Sequence, residues 1–185
     1  MSSAASIRNG VDVGQLMGAI DAVKSDPANG KLTFTVKSRW KGGLTSEHQP
    51  AGYSVGPQAG HHGTNHMIHI DEPKEILGTD TGMSPAEVIL SSLGSCLAVG
   101  YAANAAAMGI DLDEVTLELT GNGSLEGFMN LNNQRPGLRN IAIKTHVKSR
   151  NATPDQIKQL HDFVNSHSPV WDTIANPVKI SSELT

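Results

Sequence analysis

Ser84-Pro85-Ala86-Glu87-Val88-Ile89-Leu90-Ser91-Ser92-Leu93-Gly94-Ser95-Cys96 is the stretch whose reading decides the fold of this chain. It opens with two helix-start signals. Ser84 is a favoured N-cap residue, and Glu87 three positions on completes a capping box. Pro85 falls at the first helical position, where its missing N–H costs nothing. The pattern predicts a helix running to about Met108 and stopped by Gly109, a natural residue just past a helix end. About twenty-five residues at about 1.5 Å each make a rod of about 37 Å, enough to cross a small domain.

The body of this helix is small in volume: Ser91, Ser92, Gly94, Ser95, Ala98, Gly100, Ala102, Ala103, Ala105, Ala106 and Ala107 let other backbone approach closely. Apolar residues recur all round rather than in one stripe, the mark of a buried helix. The expectation is a central helix covered by sheet or by a partner subunit, with Cys96 well inside. Cys96 is the only cysteine, and two readings of it stand side by side. A free cysteine often packs as a small hydrophobe. A reactive thiolate here needs a cation or hydrogen-bond donors brought from elsewhere in the fold. Cys96 lies about three turns from the helix N-terminus, and the dipole's effect fades within the first turn.

Length and charge narrow the class. At 185 residues the chain fits one domain with an appendage. We read residues 1–30 as an N-terminal accessory segment and residues 31–185 as the main domain. A net charge of −4 and the lack of a long basic run argue against nucleic acid as a partner. No apolar stretch reads as dry enough to span a membrane, since the central helix carries Glu87, Asn104 and several serines. Met1 to Gly10 lacks the basic-then-apolar pattern of a secretory signal. A single cysteine excludes an intramolecular disulfide. A cytoplasmic protein is expected, with neither cofactor nor bound metal.

Taken in order, residues 1–10 are polar and expected to fray. Val13, Leu16, Met17, Ile20 and Val23 repeat helically between Val11 and Val23. From Lys31 to Trp40, Leu32, Phe34, Val36 and Trp40 alternate with Thr33, Thr35, Lys37 and Arg39, a strand with one covered face. Gly42-Gly43 turns the chain, and Leu44 to His48 returns as the hairpin partner. Pro50 to Gly63, rich in glycine and proline, reads as loop. Asn65 to Asp71 reads as another strand, and Gly78 to Met83 as the loop entering the central helix. Asp113 to Thr120 and the run Ile141, Ile143, Thr145, Val147 alternate as strands, with Gly121 to Gly137 as a loop between them. Thr153-Pro154-Asp155-Gln156 repeats the cap logic before a helix carrying Ile157, Leu160, His161 and Val164 on one side. Ser166 to Pro169 breaks that helix, Val170 to Ile174 adds a turn, and Val178 to Ser182 reads as a last strand. Strands in hairpin-connected sets, rather than one per helix, argue for an α+β fold with antiparallel sheet.

Residues 81–101, centred on the stretch quoted above, resemble the signature of the OsmC/Ohr family, named for osmotically induced protein C and the organic hydroperoxide resistance protein. Arg39-Trp40-Lys41-Gly42-Gly43 is similar to the family's early hairpin, Asp71-Glu72-Pro73 precedes the helix as in OsmC-like chains, and Ser168-Pro169-Val170 stands where the family often carries Cys-Pro. The resemblance spans about residues 31–184. It implies an OsmC-like fold in which antiparallel sheets wrap long central helices in an intertwined homodimer, with active sites at the interface. It also implies hydroperoxide reduction: a thiolate becomes a sulfenic acid, and a second cysteine condenses with it. Cys96 matches the peroxidatic cysteine. Arg39 and Glu87 match the arginine and glutamate that hold thiolate and peroxide. Arg39 also reads as a solvated strand residue. Glu87 also reads as the capping-box acid, and nine residues at about 100° each point it away from Cys96 on a straight helix.

Ser168 is the departure, because serine cannot form a disulfide. An external thiol must then reduce an oxidised Cys96, or two chains must cross-link; Ser168 itself reads as the N-cap of the turn at Pro169. Three further readings remain. The fold is used to hold a small apolar ligand, with Tyr101 as a pocket wall or as core. Cys96 carries acyl or thiol transfer, with a base among His61, His62, His66, His69, His146 and His167, of which His167 is nearest the motif. Or His61, His62, His66 and His69 hold a metal, although their spacing matches no standard motif.

Overall fold

The computed structural model describes residues 7–185. The expectation of a frayed start therefore lies outside the described residues for 1–6. Strands β1 (Ile7–Arg8) and β2 (Val11–Asp12) form a hairpin. Asn9 and Gly10 at its tip have φ of 52° and 76°, both left-handed, the geometry that makes Asn-Gly the favoured two-residue hairpin turn. Helix α1 (Val13–Ser25) follows.

The chain divides into two compact units, one holding the residues up to Gly14 together with Leu90–Thr185, the other Gln15–Ile89. The second is built on strands β3 (Leu32–Gly42), β4 (Thr45–Val55), β5 (Gln58–Gly60) and β6 (Ile68–Ile70), all antiparallel, with β5 and β6 sharing the far edge of β4. The expected loop from Pro50 to Gly63 is thus largely strand. Pro50 is tolerated because β6 pairs only with Ser46–His48 and β5 only with Tyr53–Val55, leaving no partner on that side to miss its N–H. A register shift between Thr35 and Val36 adds a bulge at the same place. The expected covered face of β3 is not covered within the chain: Phe34 is 71% and Trp40 74% exposed, and Leu32 and Val36 are exposed with them.

Asp71 then organises the approach to the central helix. It is fully buried and accepts hydrogen bonds from the Thr79 hydroxyl at 2.5 Å and amide at 3.0 Å, from the Thr81 hydroxyl at 2.9 Å and amide at 3.1 Å, and from the Glu72 amide at 2.8 Å. The Thr79 hydroxyl, helped by these amides and opposed by burial, holds the Asp71 carboxyl far below the usual carboxylate range. A Cβ on Gly82 would lie 2.6 Å from the His69 carbonyl oxygen, so the loop is also sterically tight.

Helix α2 (Pro85–Ala107) is the predicted central helix. The Ser84 amide and hydroxyl both donate to Glu87 Oε2, at 2.7 and 2.8 Å, and the Glu87 amide donates back to Ser84 Oγ at 3.3 Å. At the other end Gly109 has φ of +75°; its amide donates to Ala106 O and that of Ile110 to Ala105 O, the Schellman arrangement. Among the described residues α2 alone is long and apolar enough by composition to cross a membrane, which the sequence reading had not granted it. Of its buried residues, Leu93, Leu97, Tyr101 and Ala105 form one i, i+4 stripe, with Ala106 buried beside its end, and Val99 is 68% exposed, so the helix is not covered on every side.

That stripe belongs to the core of the first unit. Strands β7 (Leu112–Asn122) and β8 (Asn140–Ser149) form a long antiparallel hairpin. Val115, Leu117 and Leu119 on β7 and Ile141, Ile143 and Val147 on β8 turn toward the core, while Lys144, His146 and Lys148 stay exposed as the alternation requires. The loop between them contains a short helix, α3 (Leu125–Phe128), capped by Ser124. Helix α4 (Pro154–Ser166) carries the predicted capping box of Thr153 and Gln156 and buries Leu160 and Val164 against the stripe of α2. Helix α5 (Pro169–Ala175) closes the regular structure. The expected strand over Val178–Ser182 does not form; no neighbouring strand offers it a ladder, and alternation alone does not make a strand.

Candidate active site

Cys96 lies on α2 one residue before the fully buried Leu97 and is itself half-buried, so the expectation of a deeply enclosed thiol is not met. Its sulfur has a defined neighbour. Ser168, 6% exposed at the junction of α4 and α5, donates from its hydroxyl to Cys96 Sγ at 3.2 Å. The same oxygen accepts the Trp171 amide at 3.2 Å. The one hydroxyl thus caps α5, as the sequence reads, and also faces the Cys96 sulfur.

Three contacts set this meeting. Helices α2 and α4 run antiparallel, so the partners keep a nearly constant sum of residue numbers: Tyr101 with His161, Gly100 with Val164, Cys96 with Ser168. Gly100 permits the approach, since a Cβ there would lie 3.0 Å from Val164 Cγ1. Tyr101 is fully buried and its hydroxyl stands 2.5 Å from His161 Nδ1, while His161 Nε2 stands 2.9 Å from Asn165 Nδ2. Burial pushes the Tyr101 phenol up, which keeps it neutral. Tyr101 is core and not the wall of an open pocket.

The other expected site residues lie in the Gln15–Ile89 unit. Glu87 is engaged as the capping-box acid, and the Ser84 amide and hydroxyl hold its carboxyl below the usual range. Arg39 lines a cleft of about 530 Å³ with Lys37, Ser38, Glu47, Gln49 and Met67. Glu47 is paired there with Lys41 at 3.1 Å, and Arg39 makes no ion pair among the described residues. Its cleft is polar and its guanidinium is free to meet an oxyanion.

His167, the base favoured for a transfer reaction, is turned elsewhere: its ring stacks on Phe163 at 4.0 Å and its Nδ1 lies 2.9 Å from the Phe163 carbonyl oxygen. His61 Nδ1 meets the Ala51 carbonyl, His66 Nε2 meets Thr64, and His69 Nε2 meets Thr81. His62 and His66 approach edge to face at 5.1 Å, and among the described residues no group of three or more His, Cys, Asp or Glu is placed to hold a metal.

An α+β chain with a capped central helix, and a half-buried cysteine met by a hydroxyl from the helix junction, defines a class, and comparison with known proteins names it. The family model for OsmC-like protein matches residues 78–183. More than half of the chain lies in that match, and the chain belongs to the OsmC-like family. No curated protein matches it in sequence. Among solved structures, an OsmC-like protein from Mycoplasma pneumoniae is similar with a TM-score of 0.59 and 22% identity, over 77% of this chain and 87% of that one. An osmotic stress induced and detoxification response protein from Psychrobacter arcticus gives 0.57 and 18%, over 76% and 88%. An organic hydroperoxide resistance protein OsmC from Legionella pneumophila gives 0.52 and 13%, over 77% and 88%. These likenesses establish the fold.

Proposed function

We propose that this protein is a cytoplasmic, homodimeric peroxidase that reduces organic hydroperoxides with one cysteine and an external thiol. The observation that supports the reading is the hydroxyl of Ser168 donating to Cys96 Sγ at 3.2 Å. Family membership and the Legionella relative's name, an organic hydroperoxide resistance protein, point the same way.

In the proposed cycle the Cys96 thiolate attacks the distal oxygen of a hydroperoxide. The S–O bond forms as the O–O bond breaks; the alkoxide takes a proton and leaves as an alcohol. Cys96 is oxidised to a sulfenic acid. Ser168 has no sulfur to condense with it. A small external thiol instead attacks that sulfur and releases water, leaving a mixed disulfide. A second thiol attacks the mixed disulfide, frees Cys96 and carries away the two electrons as a disulfide. Arg39 and Glu87 take the part the resemblance assigns them, holding the thiolate and the peroxide in place. A second copy of the chain covers the exposed apolar face of Leu32, Phe34, Val36 and Trp40.

The test is mass spectrometry of the intact protein after a small excess of cumene hydroperoxide, with and without a sulfenic-acid trap, beside Cys96→Ser. Rapid oxidation confined to Cys96 and captured by the trap is expected. Oxidation no faster than that of a free thiol would overturn the peroxidase and favour a ligand-binding or transfer role.

A further inference from the structure

We infer that Tyr101 and His161 are positioning residues for Cys96: their half-buried hydrogen bond fixes α4 on α2 in the register that delivers the Ser168 hydroxyl to the sulfur. This rests on Cys96 being the reacting thiol. The surrounding core is largely apolar, made of Leu93, Leu97, Ala105, Leu160 and Val164, with Thr145 of β8 as a second polar neighbour of the Tyr101 hydroxyl. Packing of such side chains sets a helix pair's spacing but tolerates small slides, because no single contact is directional. A hydrogen bond is directional, and one between the fully buried Tyr101 and the half-buried His161 is costly to leave unmade. The 2.5 Å contact of Tyr101 with His161 therefore selects one slide of α4 out of several that would bury the same apolar area.

The geometry carries that selection to the sulfur. Tyr101 and Cys96 are five residues apart on one helix. His161 and Ser168 are seven apart on the antiparallel element, spanning the last turns of α4 and the cap of α5. The Gly100–Val164 contact lies between the two polar pairs. A slide of α4 by one helical turn, about 5.4 Å, would carry Ser168 Oγ beyond hydrogen-bond distance of Cys96 Sγ. Asn165 buttresses the pin by engaging the other nitrogen of the His161 ring at 2.9 Å.

The experiment is alkylation of Cys96 by iodoacetamide, followed by mass spectrometry from pH 6 to pH 9.5, which reads thiolate availability without calling on peroxidase activity. The proteins are the wild type, Tyr101→Phe, Ser168→Ala, and the double variant Tyr101→Phe/Ser168→Ala. We expect Ser168→Ala to slow alkylation at pH 7 by about 3- to 10-fold, the size of one ordinary lost hydrogen bond. Tyr101→Phe should shift the profile in the same direction, and the double variant should be no slower than Ser168→Ala alone. His161→Asn, whose amide reaches the place of Nδ1, should restore the wild-type profile, and His161→Leu should not. An unchanged profile in Tyr101→Phe, or an effect that adds fully to that of Ser168→Ala, would overturn the inference. If Tyr101→Phe fails to fold, the two His161 variants decide the matter by the same readout. A normal alkylation pattern beside failed peroxide reduction would sink the peroxidase reading and leave the positioning role standing.

Discussion

Gly100 of α2 and Val164 of α4 meet with no side chain between them: a Cβ on Gly100 would come within 3.0 Å of Val164 Cγ1. Two effects then oppose each other in Gly100→Ala. Removing a helix-interior glycine gains up to about 1 kcal/mol in propensity, and crowding Val164 takes a similar amount away. Near-neutral stability is expected in urea denaturation. Gly100→Val, which forces the helices apart, should lose about 1–3 kcal/mol. Combining Gly100→Ala with Val164→Ala should recover the propensity gain, so that alanine at 100 is favourable over glycine in that background.

Ser168→Cys is expected to restore an internal disulfide. The hydroxyl it replaces already lies 3.2 Å from Cys96 Sγ, and a small rotation of either side chain brings two sulfurs to bonding distance. Mild peroxide should then convert the variant to a species lighter by two hydrogen atoms and resistant to thiol alkylation. A variant that instead accumulates a trappable sulfenic acid would show that the α4–α5 junction moves away once Cys96 is oxidised.

Asp71 predicts the acid limit of the Gln15–Ile89 unit. Its carboxyl is held far below the ordinary value, about 3.9, first by the Thr79 hydroxyl and then by the surrounding amides. A group depressed in the folded state stabilises above its unfolded value, and the contribution drains away as pH falls below that value toward the folded one. The melting temperature of the wild type should therefore begin to fall below about pH 4. Asp71→Asn should melt lower at pH 7 and depend less on acid. Equal slopes for the two proteins between pH 5 and pH 2 would rule the loop out as the acid-sensitive element.

The proposed pairing of two chains makes the apolar face of β3 its test. Phe34→Asp, at a site 71% exposed in the single chain, leaves the chain's own packing nearly untouched and places a charge where a second copy would sit. Sedimentation velocity should report a dimer for the wild type and a shift toward monomer for the variant. Monomer in both would place the cover of this face elsewhere.

Leu97 is fully buried between α4 and the β7–β8 hairpin. Leu97→Ala should lose about 2–5 kcal/mol, a large part of what a domain of this size possesses. Chemical denaturation would show it directly, and a loss under 1 kcal/mol would mean that α4 collapses onto the vacated space.

What could be read from the sequence was whatever local chemistry settles. The Ser84–Glu87 and Thr153–Gln156 boxes, the stop at Gly109 and the alternation of β3, β7 and β8 were all legible, because each is decided within a few residues. Asn9-Gly10 carried a hairpin signal as strong as any in the chain, obscured by its polar surroundings. Pro50 and Gly52 hid the second half of β4, since their effect depends on which side of the strand is paired, a fact about β5 and β6. The exposed face of β3 was misjudged for the same reason: alternation reveals that a face is apolar, not what lies on it. At the site, Cys96 stood out as the only cysteine and Ser168 as an N-cap, and resemblance alone linked the two. The Tyr101–His161 pair joins residues 60 apart; periodicity set His161 on the buried side of its helix but could not name its partner.

The Asn9 side chain accepts from the Leu112 amide at 2.9 Å and donates to the Ile110 carbonyl at 2.9 Å, and Arg8 pairs with Asp111 at 3.1 Å. These bonds close a loop of about 100 residues, for which chain entropy charges little more than for a short one. During synthesis, however, the order is inverted. The β1–β2 hairpin is held by residues made about 100 positions later, and at about 5–20 residues per second it waits at least several seconds for them. A hairpin complete in its own pairing thus finds its place only after the segment that fixes it has been made.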